Sequence, residues 1–365
     1  MACCVSQQSM ITRRLASNIK TSPTNKLMKN TTILTMAALL LGSSGLMAQS
    51  TAYTKPSGFV THTLKAGKYN MIGLTLLEAI TVAGKFTAVS GTTLTDSGVD
   101  FDFSLTTGKT HILEVTSGTL AGTIQEVIDW SGNTITTPAD LVADGLAVGD
   151  TYQIRLSQTL QGVFGQNNEA GLKSGSASEA DLIWVPDGAS DYTKFYYHPG
   201  ASFPVAVPAG WRVLGGAEAL EVPLVYTDGL LVERRGDTDL NLVITGSVKT
   251  TSVSIAIPGK YTYISSVFPV GSTLSNSEIS DSMKHGLASE ADLIWIPKDD
   301  ATDYDKYYYH PGSSFPVTVA AGWKLLGGGD SDQADASLKA GMIIEKRASE
   351  AFNLKLTPPS GYSDL

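Results

Sequence analysis

Beyond Cys3 and Cys4 the 365-residue chain contains no cysteine. That excludes a disulfide scaffold and a cysteine-based zinc site. Positive charge is scarce too, with 26 Lys and Arg against 35 Asp and Glu and a net charge of −9. An acidic chain is badly suited to holding phosphate backbones, so nucleic acid is not an expected partner. No apolar run is long enough to span a bilayer, since the longest, Ile33–Leu41, is nine residues. Also missing are a Gly-x-Ser-x-Gly elbow, a His-Glu-x-x-His helix, a phosphate loop and any long amphipathic helical period. The 42% of hydrophobic residues is too much for a disordered chain, and the length suffices for two or three domains.

Residues 1–50 stand apart. They hold no Asp or Glu and five basic residues, Arg13, Arg14, Lys20, Lys26 and Lys29. Met28-Lys29-Asn30, the apolar stretch to Leu41, Gly42-Ser43-Ser44-Gly45 and Ala48-Gln49-Ser50 follow the order of an export signal. Cleavage after Ser50 or after Ala48 fits, and residues 28–50 make a complete signal with translation starting at Met28. The expectation is an exported protein, periplasmic, at the cell surface or extracellular, with no transmembrane anchor after cleavage. Without this leader the remaining chain has 21 basic and 35 acidic residues, a charge of −14, and no thiol.

From Thr51 on, short runs of Thr, Val, Ile and Tyr alternate with Gly, Asp, Asn and Ser turns, which is the pattern of β-strands. Strands are expected over 85–89, 93–95, 111–115, 124–130, 133–137 and 151–156, with one short helix over Pro138–Leu146. The strongest feature is a repeat. Residues 177–216 match 288–328 at 30 of 40 aligned positions, with one inserted residue. Ala177–Trp184 recurs unchanged as Ala288–Trp295, Tyr196–Gly200 as Tyr308–Gly312, and Ser202–Val205 as Ser314–Val317. Weaker kinship joins Leu231–Arg235 to Ile343–Arg347, and Gly67-Lys68-Tyr69 to Gly259-Lys260-Tyr261. The expected fold is all-β, with two related sandwich-like or jelly-roll-like modules and a small β-barrel-like domain. The divisions are 1–50 for the leader, 51–154 for an N-terminal β region, 155–250 for the first module and 251–362 for its repeat. Residues 84–154 are either an insertion in the first repeat or part of a separate N-terminal domain.

Repetition also frames the candidate sites. His198 and His310 each follow two tyrosines and precede Pro-Gly, a position that suits either an active-site group or a strand end capping a turn. Tyr196, Trp211, Tyr308 and Trp323 are candidates for a flat aromatic platform against sugar rings, or for core positions, whereas Trp184 and Trp295 read as core. Asp299, Asp300, Asp303 and Asp305 form an acidic run without the spacing of a calcium loop, so a solvated turn is the expected reading. Glu179 and Asp181 recur as Glu290 and Asp292. A carboxylate pair can serve a glycosidase, but its retention in both copies points to a requirement of the fold. Glu233/Arg235 and Glu345/Arg347 read as charge pairs on an exposed sheet face. No catalytic residue, metal site or cofactor is expected.

Five stretches carry a family likeness: Ser57-Gly58-Phe59-Val60, Gly118–Thr137, Gly149-Asp150-Thr151-Tyr152, Ala180–Trp184 and Gly229–Arg235. The chain resembles a family of exported bacterial β-rich proteins that occur as sets of paralogues and have no known activity. The resemblance covers most of the chain after the leader. It implies export and an envelope role, and carries over no site residues. Three functions follow as expectations. The first is a non-catalytic structural or interaction protein of the envelope that self-associates or meets envelope polysaccharide or protein. The second is a carbohydrate-binding or adhesive module using the repeated Tyr and Trp positions. The third is a polysaccharide-active enzyme.

Overall fold

The computed structural model describes residues 56–365 except 189–190, 203–205 and 316. The expected leader lies outside these residues, as does part of the repeated Ser202–Val205 and Ser314–Val317 element. What is described is all-β, with every named strand pair antiparallel. The two α-helices, Phe101–Ser104 and Leu160–Phe164, are each about one turn long. No helix among the described residues is long and apolar enough to cross a membrane.

Two five-stranded sheets share one strand order. The first runs Gly210–Val213, Asp191–His198, Leu182–Asp187, Gly229–Glu233, Tyr69–Gly73. The second runs Gly322–Leu325, Tyr304–His310, Leu293–Pro297, Gly341–Glu345, Tyr261–Ser265. Register is shared as well: Trp184 lies between Lys194 and Leu231, and Trp295 between Lys306 and Ile343. The sequence alternation explains what each sheet buries. Ile183, Val185, Phe195 and Val232 point into the main core, where Ile294, Ile296, Tyr307 and Ile344 take the equivalent places. A strand pair faces each sheet across this core: Ser57–Leu64 paired with Leu240–Val248, and Val253–Ile257 paired with Phe352–Leu356. Leu64, Leu242 and Ile244 enter the core from the first pair, and Ile255, Leu354 and Leu356 from the second.

Between Leu77 and Gln158 the chain makes two further four-stranded sheets. One is Ile80–Lys85, Thr151–Leu156, His111–Val115, Ile124–Val127; the other is Ala88–Ser90, Thr93–Thr95, Thr134–Thr136, Asp129–Ser131. Both edge strands of the first run on into edge strands of the second, through Phe86-Thr87 and through Ile128, as in a small barrel. A separate core of Val82, Phe86, Phe101, Leu113, Tyr152, Ile154 and neighbours fills it.

Pro138–Leu146 is a turn, not the expected helix. Asp140 caps the Ala143 N–H, but Leu146 N–H returns to the Leu141 carbonyl after a single turn, around Gly145 at φ 115°. The expected strand over 85–89 is broken at Phe86, which turns into the barrel core. The one over 124–130 is broken at exposed Ile128.

The two five-stranded sheets meet through glycine. A Cβ on Gly229 would stand 2.9 Å from the Ile264 carbonyl oxygen, and one on Gly341 2.7 Å from that of Ile72. Neither glycine has a positive φ, so close backbone approach is what requires them. Ser265 N–H donates to the Thr227 carbonyl across this seam.

Candidate functional site

The six residues singled out in the sequence do not converge on one open groove. Trp211 and Trp323 lie in the main core, Trp211 donating its indole N–H to the Gly165 carbonyl at 2.8 Å. Tyr197 and Tyr309 meet these indoles edge-on at 5.5 and 5.7 Å. Tyr196 is buried on the opposite face of its sheet, with Ala180 and Leu182. Trp211, Trp323 and Tyr196 are therefore buried in packing rather than open to a sugar ring. His310 is buried, while His198 and Tyr308 are half-buried. Each histidine accepts the N–H of the glycine two residues on, from Gly200 at 3.0 Å and from Gly312 at 2.9 Å. Both rings thus cap the Pro-Gly turn that follows them.

The repeated carboxylates are engaged in the same way. Asp181 accepts the backbone N–H groups of Lys173, Arg235 and Gly236 and the Arg234 guanidinium. Asp292 accepts those of Lys284, Arg347 and Ala348. Glu179 is exposed, and the Ser176 hydroxyl and N–H hold its carboxyl below the usual range. In the acidic run, Asp299 pairs with Lys339 at 2.7 Å and Asp300 accepts both polar hydrogens of Thr302. No group of three metal-ligating side chains occurs among the described residues.

What the repeat does build on the solvent side of each sheet is an aromatic stack. Lys194 Nζ lies 3.5 Å above the Trp184 ring, and Lys306 Nζ 3.6 Å above Trp295. The indole N–H groups donate to Glu233 and Glu345, which also bind Arg235 and Arg347. These tryptophans, expected in the core, are therefore half-buried on the outer face. Tyr69 and Tyr192 contact Trp184, and Tyr261 and Tyr304 contact Trp295 in the same positions. Tyr192 also meets Tyr263 at 5.1 Å, so rings from the two sheets touch. Burial, with Tyr263 adding to it, raises the Tyr192 hydroxyl well above its ordinary pKa. Burial likewise raises half-buried Asp228 beside this pair to about 7.

Next to these rings a cleft of about 450 Å³ opens between the two sheets. Tyr69, Lys68 and Leu231 line it from the first, and Pro297, Asp303 and Tyr304 from the second. A neighbouring cavity of about 400 Å³ shares Pro297 and Ala301 and reaches His62. The His62 Nε2 is buried there without a partner, and burial lowers its pKa to about 4.

A buried charged cluster joins residues far apart in the sequence. Glu114, on the barrel strand His111–Val115, receives Lys249, Arg155 at 3.3 Å, the Thr251 hydroxyl at 2.7 Å and the Tyr226 hydroxyl at 3.2 Å. Burial opposes the Glu114 charge, yet Lys249 and Arg155 outweigh it and hold the carboxyl below the usual range. Burial brings Lys249 down to about 8. The one sequence signal was an acid inside the apolar run His-Ile-Leu-Glu-Val. No protein-family model, curated protein or solved structure matches the chain.

Proposed function

We propose that the chain is an exported, non-catalytic structural or interaction protein of the cell envelope or extracellular space, and that it associates with itself through the strand Ser57–Leu64. The observation that carries this reading is the outer edge of that strand. Among the described residues it pairs with Leu240–Val248 on one side only. Natural sheets blunt such edges with charge, proline or bulges. Ser57–Leu64 has no charged residue, no proline and no register shift against its partner, and it exposes Phe59 at 72%. Val243, 51% exposed, stands opposite Thr61 on the neighbouring strand.

The second module supports the choice of partner. Its corresponding strand, Val253–Ile257, is met by backbone: Ser254 N–H donates to the Gly122 carbonyl at 2.9 Å, beside a bridge to Thr123. Among the described residues no backbone meets the same place in the first module, which leaves it to take backbone from another copy. A strand edge paired with its own two-fold mate forms a closed dimer. An uncharged edge is also where two acidic chains repel least. The non-catalytic reading rests on the paired use of His198/His310 and Asp181/Asp292 as turn caps and backbone acceptors. The export reading rests on the sequence of residues 28–50.

Sedimentation velocity over a range of concentrations, together with fractionation and N-terminal sequencing of the protein from producing cells, tests this reading. The expected results are a concentration-dependent dimer, lost in Phe59→Lys, and a mature N-terminus at Gln49 or Thr51. A monomer at every concentration, or an unprocessed cytosolic chain, overturns it.

A further inference from the structure

We infer that the cleft between the outer faces of the two five-stranded sheets binds a neutral oligosaccharide. Its volume, about 450 Å³, lies within the roughly 300–1,000 Å³ typical of small-ligand sites. Both sheets contribute walls, each with one tyrosine: Tyr69, 51% exposed, from the first and Tyr304 from the second. The duplicated stacks hold these rings in place. Tyr69 sits edge-on to Trp184 at 5.9 Å and 88°, and Tyr304 lies against Trp295 at 5.9 Å and 55°. Each tryptophan is fixed by a glutamate on its N–H and a lysine on its ring face. Rings ordered before binding lose little freedom when a ligand arrives.

The lining selects the chemistry. Tyrosine offers an apolar ring face for the C–H face of a pyranose and a hydroxyl at its tip, the combination an amphipathic sugar needs. Around the rings stand Thr302, Asp303 and Lys68, which supply donors and acceptors for sugar hydroxyls. One acid and one base leave the lining without net charge. The chain as a whole is acidic and disfavours anionic glycans. The aromatic contacts across the seam, Tyr192 on Tyr263, tie the two walls into one piece. This cleft is not the edge strand of the proposed self-association, so either reading can fail without the other.

The test uses the purified chain and tryptophan fluorescence, because Trp184 and Trp295 touch the two wall tyrosines. The probes are cellohexaose, maltohexaose, xylohexaose, mannohexaose, laminarihexaose and chitohexaose, with polygalacturonate as the anionic control. At least one neutral probe is expected to give a saturable change. Tyr69→Ala and Tyr304→Ala should each weaken it about tenfold, with the far-ultraviolet circular dichroism unchanged. Tyr308→Phe, outside the cleft, should leave it intact. Absence of a saturable change with every neutral probe overturns the inference. So does binding indifferent to both alanine variants, or tighter binding of polygalacturonate than of any neutral probe.

Discussion

Replacing Glu114 by glutamine removes one charge and almost no volume at the point where the barrel joins the rest of the molecule. In the native protein the carboxylate lies between Lys249, which is 0% exposed, and Arg155, and it accepts from Thr251 and Tyr226. The amide keeps a carbonyl for the hydroxyls but leaves two buried cations without a counter-ion. Breaking a buried pair from one side costs about 3–5 kcal/mol. Against a typical total stability of about 5–15 kcal/mol, that is a large fraction. Lys249 is already held at about 8, so losing the carboxylate pushes it toward neutrality, and that release keeps the loss near the lower end of the range. Adding the double change Arg155→Met and Lys249→Met to Glu114→Gln removes both stranded cations, keeps a carbonyl for the two hydroxyls, and should recover most of the loss. Urea denaturation followed by circular dichroism measures both. A loss below about 1 kcal/mol in the single variant, or no recovery in the triple, would refute the view that this cluster fastens the barrel.

Three further outcomes follow from the geometry. Gly341→Ala places a methyl against the Ile72 carbonyl and Met71, and should lower stability by about 1–3 kcal/mol in thermal unfolding, with Gly229→Ala behaving alike. Asp181→Ala should be more damaging than Asp292→Ala, about 3–5 against about 1–3 kcal/mol in the same urea assay, because only the first strands a buried arginine, Arg234. Asp228 has a folded-state pKa raised from 3.8 to about 7, so its contribution is full below about pH 4 and is lost as pH rises to about 7. Stability should fall by up to about 1.4 kcal/mol per pH unit in that window, a dependence that Asp228→Asn removes when melting temperature is followed against pH.

Strand positions were legible wherever alternation and turn residues agreed. The strands Thr93–Thr95, His111–Val115 and Thr151–Leu156 coincide with the runs read from sequence. The break at Phe86 was not legible, since a buried aromatic looks the same whether it continues a strand or turns a barrel corner. Pro138–Leu146 carried a helix start, but Gly145 stops it after one turn, and a start signal says nothing of length. The turn-capping role of the histidines was open from the Pro-Gly that follows, whereas the placement of Trp184 was not. Which face a tryptophan takes depends on Lys194 and Glu233 lying beside it in neighbouring strands, and register is not written in a single sequence. Glu114 meets Lys249 across 135 positions, and the cleft joins Tyr69 to Tyr304. Contacts at that separation are set by how modules pack, which neither periodicity nor spacing encodes.

Residues 51–365 contain no cysteine, so in a chain beginning at Thr51 one thiol placed on the outer strand reports its neighbour without background. Phe59→Cys, Thr61→Cys and Thr63→Cys each put that thiol on the exposed face of Ser57–Leu64. If copies pair edge to edge, at least one of the three, alone or mixed with another of them, forms a disulfide-linked dimer under mild oxidation, and the dimer has the sedimentation coefficient of the native one. If all three stay monomeric with free thiols at concentrations where the native chain is fully associated, the edge is not the contact and the account of self-association is wrong.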